Sequence, residues 1–156
     1  MHNLLFLIDS RGIHGKIVAG WGFREQIEEI VLANDAAAAS EWEREAYVSA
    51  AGLEYSARVL SLADAVHQLP DLTVLRRTLL IVGSVADALE MLDRGLDHRE
   101  IIISNLDPSR ERQQLCPGVF VAESDRHTLN AIVERGVQVV VRLMPQDKPQ
   151  PVQELL

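Results

Sequence analysis

Runs of apolar residues alternate along this chain with segments whose apolar residues recur at helical spacing. Such alternation predicts an α/β fold, a single-domain open, mostly parallel β-sheet with helices on both faces. The last strand or strands are left open to be antiparallel. The apolar runs predict strands over residues 4–8, 29–33, 55–60, 78–82, 100–103, 118–122 and 137–144. Helical spacing and capping residues predict helices over residues 15–26, 36–51, 62–69, 85–92 and 129–135.

Prolines and charged residues set the expected boundaries. Pro70 predicts the end of the third helix, and the charged segment 109–114 predicts a loop. The single domain is expected to cover residues 1–145. Residues 146–156 are rich in proline and poor in apolar residues before their end, so we interpret them as a C-terminal tail.

Composition excludes several classes of protein. The net charge of −8 argues against binding to nucleic acid, which needs clustered Lys and Arg. Cys116 is the single cysteine, which excludes an intramolecular disulfide and a multi-cysteine zinc site, and we interpret it as a small apolar residue of the interior. Neither a signal peptide nor an apolar run of about 20 residues is present, so we expect a cytoplasmic protein that reaches a membrane only by docking on a partner.

Several predicted strands end in small or polar residues. If the strands are parallel, their ends converge on one edge of the sheet, where helix amino termini attract anions. Taken singly, each of these residues is an ordinary helix cap, whereas their convergence indicates a shallow polar pocket. The strand ends concerned are Asp9-Ser10-Arg11, Asn34-Asp35, Gly83-Ser84 and Ser104-Asn105.

The loop after the first strand carries the candidate chemistry. It contains His14, and free imidazole, with an ordinary pKa of about 6.5, is both a nucleophile near neutral pH and a good leaving group. We therefore interpret His14 as the acceptor and donor of a phosphoryl group. Arg11 would offer a planar fork to two phosphate oxygens. Asp9 would fix the tautomer of His14, or it would cap the loop, and the residues leave both roles open.

Other residues of this rim would bind the phosphate. Gly12 and Gly15 would let backbone N–H groups approach it closely. Lys16 would add a positive charge, or would simply be solvated. Ser10 and Ser84 complete the predicted phosphate-binding set.

The same stretch resembles a known family. Residues 8–21, which read IDSRGIHGKIVAGW, are similar to the opening of IIB components of the mannose/fructose/sorbose-type phosphotransferase system, which reads I-D-D-R-L-I-H-G-Q-V-x-x-x-W. Weaker similarity continues through residues 30–35, 87–89 with Gly95, 136–139 and 142–145. The chain departs from the family pattern at Leu7, Ser10, Gly12, Lys16 and Ser104-Asn105.

The resemblance implies a cytoplasmic phosphocarrier and phosphotransferase. The histidine that matches His14 would take phosphate from a phosphohistidine of a IIA component and pass it to a sugar held by the membrane components IIC and IID. The family's aspartate and arginine match Asp9 and Arg11. The sugar and the oligomeric state, including a homodimer, are left open.

Two other functions remain open at this point. The departures around His14 allow a regulatory protein whose phosphohistidine controls a partner without sugar transport. A small-molecule enzyme would use His14 as a general base and Arg11 as an anion clamp, although no second catalytic acid or base is evident. We expect no cofactor and no metal. We expect His2, His67, His98 and His127 to lie at the surface, and Trp21 to anchor the first helix in the core.

Overall fold

The structure is a computed structural model that describes residues 2–156. Within these residues nine strands are present: β1 (Leu4–Asp9), β2 (Glu29–Ala33), β3 (Ser56–Leu60), β4 (Thr78–Val82), β5 (Glu100–Asn105), β6 (Gln113–Cys116), β7 (Val119–Val121), β8 (Gln138–Val141) and β9 (Gln150–Pro151). The helices are α1 (Asp35–Ala38), α2 (Glu41–Ala51), α3 (Leu62–Leu75), α4 (Val85–Asp93) and α5 (Glu123–Glu134). A π-helix covers Ile17–Gly22, within a helical segment that runs from residue 15 to 24, and a 3₁₀ turn covers Val152–Glu154.

The sheet confirms the predicted fold class. Seven strands lie in the order β3-β2-β4-β1-β5-β8-β9. All neighbours are parallel except β9, which is antiparallel to β8. Because β1 lies between β4 and β5, the loop after β1 emerges at the centre of the carboxyl edge.

Helices cover both faces of this sheet, as predicted. One apolar cluster packs α3, α4 and α5 on the sheet, with Leu69, Met91 and Ile132 among its buried side chains. The other cluster lies under the π-helix, α1 and α2, and includes Ile17 and Trp21. Trp21 is 1% exposed, so the expectation that it anchors the first helix is confirmed.

The prediction that the third helix ends at Pro70 was wrong. Helix α3 continues through Pro70 to Leu75. Proline removes one backbone hydrogen bond, but Pro70 lies on the exposed side, while Leu69 and Thr73 are buried against the sheet. The burial of these flanking residues outweighs the lost bond.

The predicted helix over residues 36–51 is two helices. Ser40 interrupts it, because its side chain accepts a hydrogen bond from the Glu43 amide and caps α2. Asn34 caps the short α1 in the same way.

The segment 109–114, predicted as loop, contributes to a strand. Gln113 and Gln114 begin β6, which pairs with β7 as an antiparallel hairpin outside the main sheet. Gly118 has φ +81° at the turn, a conformation that favours glycine. The hairpin can be recognised only when both of its strands are predicted, and the residues of β6 are too polar to predict a strand.

The end of the chain folds back on the sheet. Strand β8 stops at Val141, earlier than predicted, and β9 then pairs with it through Val140 and Val141. Val152 is fully buried in the cluster beneath α3, α4 and α5.

Candidate active site

The central strands bring their polar ends together at one edge. Asp9 ends β1, Ser84 follows β4, and Ser104 is the penultimate residue of β5. Because β4 and β5 flank β1, these residues lie on adjacent strands. Asn34, after β2, lies beside Gly83. Its Nδ2 atom is 3.8 Å from the position that a Cβ added at Gly83 would take.

Asp9 is the buried centre of this edge. Its side chain is fully buried, and its two oxygens accept from several donors. Oδ1 accepts from the Arg11 amide at 2.9 Å and from Arg11 Nε at 3.2 Å. Oδ2 accepts from Arg11 Nη2 at 3.1 Å and lies 3.2 Å from His14 Nε2. A buried carboxylate persists as a charged group because such donors replace water.

His14 faces Asp9 through one nitrogen of its ring. A carboxylate can only accept a hydrogen bond, so in the neutral ring Nε2 carries the proton and Nδ1 keeps its lone pair. The His14 carbonyl accepts from the Val18 amide at 3.1 Å, so the residue sits at the start of the helical segment that begins at Gly15. Its side chain is 20% exposed, so part of it is accessible to a ligand.

Arg11 is turned toward Asp9. Its Nε and Nη2 form a fork on the two carboxylate oxygens of Asp9, whereas the sequence predicts a guanidinium fork on two phosphate oxygens. The Arg11 side chain is 34% exposed, and the donors left for an anion are Nη1 and the second hydrogen of Nη2.

The remaining predicted site residues have different placements. Ser10 accepts from the Asp107 amide at 3.1 Å and donates its own amide to the Asn105 carbonyl, which ties the loop to the end of β5. Ser84 accepts from the Asp87 amide and caps α4.

The backbone amides of the loop differ in whether they are already hydrogen-bonded. Gly12 has φ +69°, and its amide donates to the Asp9 carbonyl, so that amide is occupied. A Cβ at Gly12 would lie 2.8 Å from Tyr47 Cε1, which shows that the ring of Tyr47 fills the space of a larger side chain there. Gly15 and Lys16 are exposed in the first turn of the helix, where amides have no intrahelical partner.

Sequence reasoning missed two contacts of this loop. Ser104 Oγ lies 3.0 Å from Asp9 Oδ2, and Tyr47 covers Gly12 from α2. Ser104 was recognised as a strand end, but nothing in the sequence gives the direction of its hydroxyl. Tyr47 lies in the middle of a helix and carries no local signal.

One of the four other histidines differs from its expected surface position. His98 is half-buried, with its ring centroid 6.3 Å from that of Phe6. Burial lowers the pKa of His98 to about 4, because the apolar surroundings disfavour the charged ring. Cys116 is partly buried against the core, and burial raises the pKa of its thiol.

Two features are absent from residues 2–156. No group of three or more histidine, cysteine, aspartate or glutamate side chains is arranged to hold a metal ion. No helix among these residues has the length and apolar character to cross a bilayer.

Comparison with known proteins gives several matches. Two relatives are similar over most of their length: the "PTS system fructose-specific EIIB component" of Bacillus subtilis (strain 168), 24% identical over 94% of this chain and 91% of that protein, and the "N-acetylgalactosamine-specific phosphotransferase enzyme IIB component 1" of Escherichia coli (strain K12), 21% identical over 93% and 92%.

Solved structures share the fold. The IIBSor domain of the sorbose permease from Klebsiella pneumoniae matches with a TM-score of 0.88 and 22% identity over 97% of this chain and 94% of that chain. A PTS-dependent N-acetyl-galactosamine IIB component from Streptococcus pyogenes matches with a TM-score of 0.90 and 16% identity over 99% and 98%.

The family itself is given by the match to its model. The model described as "PTS system sorbose subfamily IIB component" matches residues 4–156. This match confirms the resemblance expected from the loop after β1 and extends it through residues 146–156. The chain therefore belongs to the sorbose-subfamily IIB components of the sugar phosphotransferase system, a family of phosphotransferases.

Proposed function

We propose that this chain is a phosphocarrier in which His14 takes a phosphoryl group from the phosphohistidine of a IIA component and passes it to a sugar during uptake. The observation that carries the proposal is the contact of His14 Nε2 with the buried carboxylate of Asp9. That contact supports one reactive nitrogen, Nδ1, at the carboxyl edge of the sheet.

Phosphoryl transfer through His14 takes two steps. The Nδ1 lone pair attacks phosphorus, the N–P bond of the donor breaks, and its electron pair returns to the donor imidazole. The proton on Nε2 stays in place, so the phosphorylated ring is cationic, and the negative charge of Asp9 offsets it at 3.2 Å. In the second step a sugar hydroxyl attacks the phosphorus, and the electron pair returns to Nδ1 while the hydroxyl proton passes to a base or water.

The phosphoryl oxygens would be bound by groups that Asp9 does not occupy. These are the amides of Gly15 and Lys16 at the helix start, the Lys16 ammonium, and the remaining N–H groups of Arg11. Such stabilisation is electrostatic and positional, which is the main contribution to phosphoryl transfer.

The proposed partners follow from the family. A IIA component supplies the phosphoryl group, and the IIC and IID components of a membrane permease hold the sugar. The chain would then work in the cytoplasm at the inner face of the membrane, docked on its permease. The matched relatives are named for fructose and N-acetylgalactosamine, so the sugar is left unassigned.

Phosphotransfer from labelled phosphoenolpyruvate tests the proposal. The general carriers and a IIA component are supplied, and the chain is analysed by intact mass at neutral pH, where phosphohistidine survives. We expect one acid-labile phosphate on the wild type and none on His14→Ala. His127→Ala is the matched control, because His127 is an exposed histidine on α5, and it should be phosphorylated like the wild type.

Two outcomes would redirect the assignment. A chain that acquires no phosphate, or acquires it equally in His14→Ala, is not this phosphocarrier. A chain that is phosphorylated on His14 but transfers nothing to sugar in membranes containing the permease would be the regulatory protein considered from the sequence.

A further inference from the structure

Ser104 occupies an irregular position in β5. The pairing of β5 with β1 matches Ile103 to Ile8 and then Asn105 to Asp9, so Ser104 is an extra residue opposite no residue of β1. This is a β-bulge, an irregularity that redirects one side chain and is frequent beside active sites. Ser104 is 3% exposed. The bulge therefore directs a buried hydroxyl toward the end of β1.

The hydroxyl meets the carboxylate that faces His14. Ser104 Oγ lies 3.0 Å from Asp9 Oδ2 and 3.3 Å from the Ile8 carbonyl oxygen. A serine has one proton to donate, and the nearer, charged acceptor makes the stronger bond. Oδ2 is also the atom that lies 3.2 Å from His14 Nε2. Ser104 and His14 thus share one oxygen.

Ser104 differs from the other donors to Asp9 in where it is anchored. Within residues 2–156, Arg11 and His14 contact Asp9 from the same loop, two and five residues along the chain. Ser104 contacts it from 95 residues away, on a strand held by hydrogen bonds to β1 and β8. In the proposed function the loop accommodates a phosphoryl group and two protein partners, whereas Ser104 belongs to a strand that is paired on both sides.

We propose that Ser104 is a positioning residue that ties the Asp9 carboxylate to the sheet and thereby keeps the His14 proton on Nε2 and the lone pair on Nδ1. The consequence for transfer rests on the proposed phosphocarrier role. The effect on the His14 ring can be measured without any phosphoryl donor.

Nitrogen NMR of the unphosphorylated full chain tests the effect on the ring. The chain is labelled with ¹⁵N-histidine, the His14 signals are assigned by their loss in His14→Ala, and spectra are recorded where the ring is neutral. In the wild type we expect a pyrrole-like Nε2 shift and a pyridine-like Nδ1 shift. In Ser104→Ala the two shifts should move toward each other as the second tautomer is populated. Ser56→Ala removes an exposed strand serine at the opposite edge and should leave both shifts unchanged.

Transfer kinetics test whether Ser104 acts through Asp9. We expect Ser104→Ala to slow phosphorylation of His14 about tenfold at saturating donor, with little change in KM. This decrease is the effect of losing one charge-assisted hydrogen bond to Asp9 when Arg11 compensates for part of the loss. In the Asp9→Asn background, Ser104→Ala should slow transfer no further, because the carboxylate to which Ser104 donates has already been removed.

The outcomes separate the two proposals. Unchanged His14 nitrogen shifts in Ser104→Ala, or rates that fall by the full product of the single effects in the double variant, overturn the role of Ser104. If the wild type accepts no phosphate, the proposed function fails, and the NMR comparison alone still decides whether Ser104 positions the ring.

Discussion

Two fully buried carboxylates, Asp9 and Glu29, lie at opposite edges of the same sheet. Asp9 ends β1 at the carboxyl edge, and Glu29 begins β2 at the amino edge. Glu29 is held by two arginines, with Arg58 Nε 2.6 Å from Oε1 and Arg76 Nη1 2.9 Å from Oε2. Both carboxylates thus have arginine partners, yet only Asp9 also has a histidine.

The identity of the donors separates a structural from a reactive carboxylate. The partners of Glu29 are permanently charged and join β2 to β3 and to the end of α3. One partner of Asp9 is an imidazole, which can gain and lose a phosphoryl group. A buried carboxylate that faces an imidazole can change the reactivity of that ring. A buried carboxylate enclosed by guanidinium groups only links elements of the fold.

Asp9→Asn should affect transfer far more than folding. Asparagine keeps the shape, but its NH₂ group can face His14 and force the proton onto Nδ1, which removes the attacking lone pair. We expect phosphorylation of His14 to slow by at least about 100-fold. Stopped-flow transfer from a phosphorylated IIA component would measure it, with thermal unfolding recorded in parallel. An unaltered rate would show that Asp9 only caps the loop.

Glu29→Gln should have the opposite profile. It removes the buried negative charge that two arginines share, but both arginines are exposed by 40% or more and can be solvated. We therefore expect a loss of about 2–3 kcal/mol in the free energy of unfolding, below the usual cost of breaking a buried pair. Urea unfolding measures the loss. The folded variant should accept phosphate at the wild-type rate, and a large decrease in that rate would remove the distinction between the two edges.

Arg11→Lys should reduce both quantities by smaller amounts. Lysine is a point charge and cannot reproduce the fork on Asp9 or offer planar donors to phosphate. We expect transfer about tenfold slower and an unfolding free energy lower by about 1 kcal/mol. Arg94→Lys, in an exposed pair with Glu90 on α4, is the control and should change neither. Loss of folding in Arg11→Lys would make Arg11 structural.

His98 extends the comparison to a half-buried ring whose Nδ1 has no hydrogen-bond partner among residues 2–156. Its folded-state pKa of about 4 is below the ordinary 6.5, so the unfolded chain binds the proton more readily in this range. The free energy of unfolding should therefore fall as the pH drops from 6.5 to about 4. Because the ring is partly exposed, we expect His98 to account for about 1 kcal/mol of this decrease. In His98→Gln the decrease should be smaller, whereas exposed His127→Gln should retain it. Parallel curves for all three proteins would contradict a buried neutral ring.

The sequence predicted the parallel sheet because its central strands are continuous apolar runs, such as Thr78–Val82, whose bounds match the structure. It also predicted that the ends of β1, β4 and β5 would lie together, since parallel strands share one carboxyl edge. It did not predict the path of α3 through Pro70, because the apolar contacts that outweigh a lost hydrogen bond come from distant parts of the chain.

The site was predictable only in part for the same reason. His14, Arg11 and Asp9 lie within six residues of each other, so their proximity is readable from the chain. The fork of Arg11 on Asp9 and the bulge that directs Ser104 depend on side-chain direction and on pairing with β5. Local pattern carries neither kind of information.

In the proposed phosphocarrier, the phosphoryl group is bonded to Nδ1 of His14. ¹⁵N and ³¹P NMR of the phosphorylated, ¹⁵N-histidine-labelled chain measures this directly through the coupling of phosphorus to one ring nitrogen. We expect coupling to Nδ1 of His14, with the proton retained on Nε2. Phosphorus bonded to Nε2, or to any other residue, would contradict it.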